Sequence, residues 1–248
     1  MSVSLGAADA GGSGVAAIHY TTDGSDPTLA SPAYSAPFAL SSSSTVKYRA
    51  FDTAGNAEAT HSLSVTIDPV APTAAILCKG APCPAGWQGS ALKVALTAKD
   101  TGGSGVASIH YTTNGTTPTL ASPLYTAPVL FSSAKTVKYR SFDTAGNASA
   151  VGTQLVRVDT AKPTGGIVLP ASFGAASAGI KITANMKDSA SGIARVEFYV
   201  DGVHKASDKT PAFSFVWSPK AGGRHTIMAV AFDRAGNRIS KVITLTLH

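Results

Sequence analysis

Aspartates in turns are the residues of this sequence whose type and spacing could do chemistry. The segment Phe-Asp-x-Ala-Gly-Asn occurs three times, and Gly-rich turns and two Pro-containing linkers carry further aspartates. Calcium takes six to eight oxygen ligands, often from Asp side chains and carbonyls in loops. The candidate calcium ligands are six aspartates: Asp68, Asp100, Asp143, Asp159, Asp188 and Asp233.

The linker aspartates Asp68 and Asp159 are expected to approach the turns that follow each linker. The expected meeting points are the Asp143–Asn147 turn or the Asp100–Gly105 loop for the first linker, and Asp188 or Asp233 for the second. A calcium ion held there would stiffen the connection. Each turn supplies a single aspartate, however, and hydrogen bonds from an Asp to its own turn explain each residue without a metal.

The two cysteines, Cys78 and Cys83, flank a Lys-Gly-Ala-Pro stretch that allows a local loop to close. A metal site would need further ligands, and no His or other Cys lies in this stretch. We therefore predict a disulfide, which favours an extracellular or periplasmic location. Trp87 lies in the same loop and is the candidate platform for carbohydrate, the alternative being that it packs under the loop.

Catalytic chemistry is not expected in this chain. Glycoside hydrolysis needs two carboxylates that face a sugar bond, and the only glutamates are Glu58 and Glu197. His19 and His110 occupy equivalent strand positions without a partner suggestive of a Ser-His-Asp arrangement, and we expect both at the surface. The sequence predicts a protein that is not an enzyme and has no cofactor other than the candidate calcium.

The composition favours many short strands and turns. Charged residues make up 14% of the chain, and Gly, Pro, Ser, Thr and Ala are abundant. No apolar run reaches the length of a membrane span, so we expect no membrane insertion. The net charge of +6 serves solubility or a weak affinity for acidic polymers. Nucleic-acid binding is not expected, because no basic cluster has interleaved stacking aromatics. Any secretion signal lies outside the sequence or has been removed.

An internal repeat sets the domain organisation. Residues 3–68 align without a gap with residues 94–159, and 42 of these 66 positions are identical, which predicts one shared fold. A third, more diverged copy follows. We predict three domains, residues 1–69, 70–160 and 161–248. The first lacks an equivalent of residues 74–90, which indicates either a fragment or a strand supplied by another chain.

The repeated motifs resemble a known family. The first copy carries Tyr-Thr-Thr-Asp-Gly-Ser-Asp-Pro-Thr from Tyr20, then Ser-Pro-x-Tyr from Ser31 and Val-Lys-x-Arg-Ala from Val46; the second copy repeats the pattern from Tyr111 and Ser122. These segments resemble the immunoglobulin-like domain at the C-terminus of chitobiases and other β-hexosaminidases. The third copy resembles a bacterial immunoglobulin-like repeat through its Asp-Arg-Ala-Gly-Asn turn.

The resemblance implies small β-sandwiches attached to secreted bacterial hydrolases and surface proteins. Short, regularly spaced strands with turn signals suit the same fold. The predicted fold class is therefore all-β, with three tandem immunoglobulin-like sandwiches, the first without its first strand. The expected function is a non-catalytic spacer or adhesion segment of a larger secreted or cell-surface protein, whose partners are neighbouring domains. Two alternatives remain open: a polysaccharide-binding accessory module, and a filament subunit that assembles with copies of itself by strand complementation.

Overall fold

The computed structural model describes residues 1–170 and 179–247, which form β-strands joined by turns. By contact density the chain divides into two compact units. The first unit comprises Met1–Ala74, Ala98–Ile109 and Arg140–Ala150, and the second comprises Ala75–Thr97, His110–Tyr139 and Val151–His248. This division does not follow the predicted domain boundaries, which stay a prediction. We call residues 1–69, 70–160 and 161–248 the first, second and third segments.

The first segment contains a two-stranded sheet and a three-stranded sheet. Its strands are β1 (Ser2–Val3), β2 (Val15–Thr21), β3 (Phe38–Ala39), β4 (Ser44–Asp52) and β5 (His61–Val65). The sheets have the orders β1-β3 and β2-β4-β5. The side chains of Val3, Val46 and Val65 are buried, and the rings of Tyr20 and Phe38 stack with their centroids 4.4 Å apart. Both sheets therefore contribute to the apolar interior.

The second segment contains two three-stranded sheets. Its strands are β6 (Thr73–Cys78), β7 (Leu92–Lys99), β8 (Val106–Thr112), β9 (Val129–Phe131), β10 (Ser133–Asp143) and β11 (Gly152–Asp159). The sheet orders are β6-β7-β9 and β11-β10-β8. Leu92 and Val94 of one sheet share a buried cluster with Val137 and Val156 of the other, as expected for a sandwich.

The third segment packs a three-stranded sheet against a four-stranded sheet. Its strands are β12 (Thr164–Val168), β13 (Ile180–Lys187), β14 (Ile193–Val200), β15 (Val203–Asp208), β16 (Ser214–Trp217), β17 (Gly223–Asp233) and β18 (Arg238–Leu247). The sheet orders are β12-β13-β16 and β15-β14-β17-β18. Apolar residues alternate along β13, so that Ile180, Ile182 and Met186 meet Phe198 and Ile227 in one core. Trp217 also lies in this core.

The first and second segments are built in the same register. Val3 pairs with Phe38 as Val94 pairs with Val129, so β1 and β3 correspond to β7 and β9. Strand β6, which neighbours β7, has no counterpart beside β1 among the described residues. The predicted fold class is confirmed: the described residues are all-β and form tandem immunoglobulin-like sandwiches, and within them the first sandwich has no strand at the position that β6 holds in the second.

The Phe-Asp-x-Ala-Gly-Asn segment forms the same turn each time. The backbone N–H groups of Asp52, Asp143 and Asp233 donate to the carbonyl of the asparagine four residues later, at 3.0–3.1 Å. The glycine of each turn has a φ between 89° and 91°, a region that residues with a Cβ rarely adopt. The turn is thus encoded locally, and its backbone geometry around the aspartate is the same in all three segments.

The prediction that His19 and His110 lie at the surface is wrong. Their exposed fractions are 9% and 6%. Nδ1 of His19 lies 2.6 Å from the carbonyl oxygen of Ser31, and Nδ1 of His110 lies 2.7 Å from that of Ser122. Each histidine thus connects its own strand to the Pro-containing stretch that carries the serine. The contact also gives the buried imidazole a hydrogen-bond partner.

Within the described residues there is no helix with the length and apolarity required to cross a bilayer.

Candidate metal centres

Three of the six candidate aspartates converge in the first compact unit. Oxygens of Asp68, Asp100 and Asp143 lie within 4.8 Å of one another, and Asp68 and Asp143 are buried. Asp68 follows β5, Asp100 follows β7, and Asp143 ends β10. The linker aspartate thus meets both the loop and the turn that the sequence offered as alternatives. We call this group the first aspartate cluster.

The linker aspartate of this cluster is held by backbone and side-chain hydrogen bonds. Its carboxylate accepts the N–H of Ser104 at 3.0 Å and that of Val70 at 2.9 Å. Its backbone carbonyl accepts the Nδ2–H of Asn147 at 2.7 Å, and the same amide donates to Asp143 Oδ2 at 2.9 Å. Asn147 therefore links the linker backbone to the turn.

The other three aspartates converge in the same way in the second compact unit. Oxygens of Asp159, Asp188 and Asp233 lie within 4.8 Å of one another. The carboxylate of Asp159 accepts the N–H of Ser191 at 3.0 Å and its hydroxyl at 2.6 Å. The Nδ2–H of Asn237 donates to the Asp159 carbonyl at 2.7 Å. This second aspartate cluster repeats the first, although the third segment is diverged in sequence.

Hydrogen bonding keeps both linker carboxylates acidic. The bonds from Ser104, with that from Val70 next, lower the pKa of Asp68 below its ordinary value. Burial raises the pKa of Asp159, but the bonds from Ser191 and Ala161 outweigh burial and leave this pKa lowered as well. Both carboxylates are therefore ionised at neutral pH, which is the form that binds a metal ion.

The donor set of each cluster fits a hard divalent cation. Three carboxylates converge, and no Lys or Arg forms an ion pair with them within the described ranges. Oxygen-only ligands in flexible loops suit calcium better than zinc or copper, which prefer nitrogen and sulfur. A single turn offers one aspartate, whereas each cluster brings together the carboxylates of three. Calcium binding itself stays a prediction.

A disulfide-closed loop supports the second cluster. Cys78 and Cys83 form the expected disulfide, with Cα atoms 4.7 Å apart. Gln88 then pairs with β11: its N–H donates to the Arg157 carbonyl at 3.0 Å, and its carbonyl accepts the Asp159 N–H at 2.9 Å. The loop thus fixes the backbone at the point where the linker begins.

Glycine is required at the end of this loop. A Cβ on Gly89 would lie 2.6 Å from the carbonyl oxygen of Ala235, in the turn that carries Asp233. The loop and the turn therefore touch backbone to backbone. Trp87, two residues earlier, is half-buried, and its carbonyl accepts the Gln88 side-chain amide. Carbohydrate binding through Trp87 stays a prediction.

Sequence reasoning identified the aspartates but missed the residues that orient them. Ser104 and Asn147, with their equivalents Ser191 and Asn237, donate to the linker aspartates. A signal was present, because a serine follows each loop aspartate and an asparagine ends each turn. The bonds across 78 and 79 residues that join Asn237 and Asn147 to the linkers required the fold to be seen.

Comparison with known families agrees with this architecture. The profile described as chitobiase/beta-hexosaminidase C-terminal domain matches residues 2–62 and 84–153, which together exceed half of the chain. The chain belongs to this family. A second profile, described as bacterial Ig domain, matches residues 163–229 of the third segment. The suspected arrangement of two chitobiase-type copies and one bacterial immunoglobulin-like copy is confirmed. No curated protein sequence matches this member of the chitobiase C-terminal domain family.

Several solved structures are similar to this family member at low identity. They include the fibronectin(III)-like modules of Clostridium thermocellum CbhA, at 24% identity and a TM-score of 0.36, covering 70% of this chain and 94% of that one. A tetra-tandem repeat from the extending region of a large adhesion protein has 19% identity and a TM-score of 0.37, covering 93% and 66%. A 1.5-MDa bacterial ice-binding adhesin has 15% identity and a TM-score of 0.35, covering 93% and 84%. Matches this remote say nothing about ligands or partners.

Proposed function

We propose that this chain is a non-catalytic spacer segment of a larger secreted or cell-surface bacterial protein, and that calcium at the two aspartate clusters stiffens it. The observation that carries the proposal is the repetition of one cluster. A linker aspartate, a loop aspartate and a turn aspartate meet twice, with the same serine and asparagine donors. A sequence that diverged elsewhere has kept these groups together at both linkers.

The mechanism is mechanical. Each linker aspartate lies against both a loop and a turn of the next segment. These contacts restrict rotation of the linker backbone. Pro72 and Pro163 add to this, because both are buried and proline fixes φ. A divalent ion would neutralise the carboxylates and join linker, loop and turn through one centre. A stiff series of sandwiches holds the domains at its ends apart without chemistry of its own.

Calcium titration tests the proposal directly. Isothermal titration calorimetry of the intact chain is expected to show two sites, and thermal melting is expected to shift upward with calcium and return with chelator. Asp68→Asn and Asp159→Asn should each remove one site, since an amide oxygen carries no charge. Asp26→Asn is the matched control, because Asp26 is exposed, pairs with Lys47 and belongs to neither cluster.

Stiffening needs its own measurement. With calcium, NMR relaxation is expected to give the second and third segments one common rotational correlation time. In Asp159→Asn, or with chelator, the third segment should tumble faster than in the wild type. Calcium-independent melting together with unchanged relaxation would contradict the stiffened-spacer function.

A further inference from the structure

The first segment has the turn and the loop of an aspartate cluster, and these face a pocket. Asp9 and Asp52 are the equivalents of Asp100 and Asp143, 91 residues earlier. They line a pocket of about 160 Å³ together with Asn56 and Glu58. In the second segment the corresponding place is taken by the linker aspartate Asp68.

Exposure shows the same difference. Asp143 is buried, whereas its equivalent Asp52 is partly exposed. A Cβ on Gly102 would lie 2.0 Å from Asp68 Oδ1, whereas a Cβ on the equivalent Gly11 would meet only the carboxylate of its own loop, at 3.1 Å. The first segment thus has room at the position where the second holds a carboxylate.

The groups that bind a linker aspartate are already in place. Asp9 accepts the N–H groups of Gly11 and Gly14, both at 2.7 Å, so its loop has the shape seen around Asp100. The Nδ2–H of Asn56 donates to Asp52 Oδ2 at 2.8 Å, as Asn147 does to Asp143. The equivalent of the Ser104 N–H, which donates to Asp68, is the N–H of Ser13. In the first segment Asn56 Nδ2–H donates to Asp52, and the Ser13 hydroxyl bonds the Asp9 and Asp52 carboxylates, so these donors are used within one loop and one turn.

An open sheet edge lies in the same segment. In the part of the chain that the structure describes, strand β1 pairs with β3 alone, whereas its equivalent β7 also has β6 as a neighbour. Strand β6 begins at Thr73, five residues after Asp68, and β12 begins at Thr164, five residues after Asp159. Both linkers read Asp-x-x-x-Pro-Thr. One segment of this kind can therefore reach the aspartate pocket and the strand edge together.

We propose that the first segment is a docking site for the linker of another immunoglobulin-like unit, with the sequence Asp-x-x-x-Pro-Thr followed by a β-strand. The incoming aspartate accepts the Ser13 N–H and completes a third cluster with Asp9 and Asp52. Its backbone carbonyl accepts Asn56 Nδ2–H, and the strand after Thr adds to the edge of β1 by main-chain pairing. The hydrogen bonds from Ser13 and Asn56 form without an ion. Only the further step, in which a cation binds the completed cluster, rests on the proposed spacer function.

A peptide of residues 62–78 with Cys78→Ser, added to the intact chain, is the direct probe. Fluorescence anisotropy is expected to show saturable binding, and the same peptide with Asp68→Asn should bind at least about tenfold more weakly, which corresponds to about 1.4 kcal/mol. Gly11→Leu in the chain should abolish binding, because Gly11 is the equivalent of Gly102, where a Cβ would collide with the linker carboxylate. Gly86→Leu is the control, since a Cβ there meets nothing within 4 Å.

An extended chain, in which a second copy of residues 62–93 precedes Val3, tests the same site without dependence on peptide affinity. Hydrogen exchange at the Ser13 amide is expected to slow at least tenfold, and Asp68→Asn in the added copy should cancel most of the effect. Binding in calcium alone or in calcium and chelator alike supports the proposal. Absence of peptide binding in both buffers, with unchanged Ser13 exchange, overturns it. The calcium titration of the unextended chain reports separately on the spacer function.

Discussion

Gly102 shows at the scale of one residue how tightly the linker aspartate is held. Its Cα faces the carboxylate of Asp68 so closely that any Cβ would collide with an oxygen. We predict that Gly102→Ala destabilises the chain by about 1–3 kcal/mol, because overpacking displaces Asp68 and breaks its bonds to backbone N–H groups. Urea unfolding of the variant measures this.

The internal repeat supplies the control for this substitution. Gly11→Ala changes the equivalent residue in a loop that no linker aspartate contacts, and a change below about 0.5 kcal/mol is expected there. Equal destabilisation by both substitutions would mean that the loop itself, and not contact with Asp68, requires glycine.

A second glycine shows how the two copies solve one packing problem differently. Tyr139 is paired across the sheet with Gly152, and its ring lies over the glycine so that a Cβ there would fall 2.1 Å from the ring. In the first copy Tyr48 faces His61, and the two rings stack at 5.0 Å. We predict that Gly152→Ala costs about 1–3 kcal/mol by pushing the ring away.

Exposure of Tyr139 gives this second prediction its readout. Burial raises the pKa of the Tyr139 hydroxyl, so the displaced ring in Gly152→Ala should titrate closer to the ordinary tyrosine value in a spectrophotometric titration. His61→Ala is the matched control and should leave the Tyr139 titration unchanged. If the pKa of Tyr139 in Gly152→Ala equals that in the wild type, the ring has not moved and the prediction is wrong.

The pair of Asp201 and His225 gives the third segment a stability that depends on pH. His225 Nδ1 lies 2.8 Å from Asp201 Oδ2, and its ring forms a T-shaped pair with Trp217, with the ring centroids 4.8 Å apart. Hydrogen bonding to Asp201 raises the pKa of His225, and the bond to His225 lowers the pKa of Asp201. Because the histidine pKa is raised on folding, its contribution is complete below the unfolded value near 6.5 and is lost as the pH rises through the folded pKa.

We therefore predict that the free energy of unfolding falls slightly from pH 6 to pH 9, and the effect is small because the Asp201 side chain is half exposed and solvent screens the pair. Asp201→Asn should flatten this slope, and Asn tolerates the φ of 49° at this position. Asp26→Asn, in an exposed Lys47 pair, serves as the control. Denaturant unfolding at the two pH values decides the matter, and an unchanged slope in Asp201→Asn would exclude the pair as its cause.

At the scale of elements, the loop between β6 and β7 couples the disulfide to the second aspartate cluster. The disulfide closes a short loop, which in the chain-entropy model contributes about 2 kcal/mol. The loop also restrains the end of β11, because the Gln88 carbonyl accepts the N–H of Asp159. Loss of the disulfide should therefore increase the mobility of the backbone at Asp159.

We predict that replacing Cys78 and Cys83 by alanine lowers stability by about 2 kcal/mol and speeds hydrogen exchange at the Asp159 amide. The amide of Asn147 at the first cluster should exchange as in the wild type. Reduction of the native chain should reproduce both effects and leave the double variant unchanged. A uniform increase in exchange at both clusters would show global loosening and not the proposed local coupling.

Elements that are specified locally were predictable from the sequence, and contacts across distant elements were not. The Asp-x-Ala-Gly-Asn turn could be predicted because its Gly and Asn favour the required backbone. The alternation of Ile180, Ile182 and Met186 marks β13 in the same way. The burial of His19 was missed because its partner, the Ser31 carbonyl, lies in a stretch without regular structure, where sequence gives no pairing rule.

At the scale of the whole molecule, the repeat predicted three copies of one fold. Because each linker directly precedes the next copy, its aspartate was expected to meet the loop or the turn of that copy. Which of the two candidate turns each linker aspartate contacts was left open, and the structure shows that each contacts both. Chain order alone could not separate these outcomes, because each depends on how two loops converge at the end of one sandwich.

The three segments should not unfold as one cooperative unit. The first segment has a two-stranded sheet where the second and third have three-stranded ones, so it buries less apolar surface and has an open edge. Less burial means less hydrophobic stabilisation. We predict that calorimetry of the intact chain resolves more than one transition and that the transition at lowest temperature belongs to residues 1–69.

Assignment of that transition uses substitutions confined to single segments. Val46→Ala, at a fully buried position of the first segment, should lower only the first transition, and Ile182→Ala in the third segment should lower a later one. The peptide of residues 62–78 should raise the first transition alone, because it would supply the strand and the carboxylate that this segment has room to accept. A single transition that both substitutions shift equally would show that the segments are energetically one body, and the lower stability argued for the first sandwich would then be wrong.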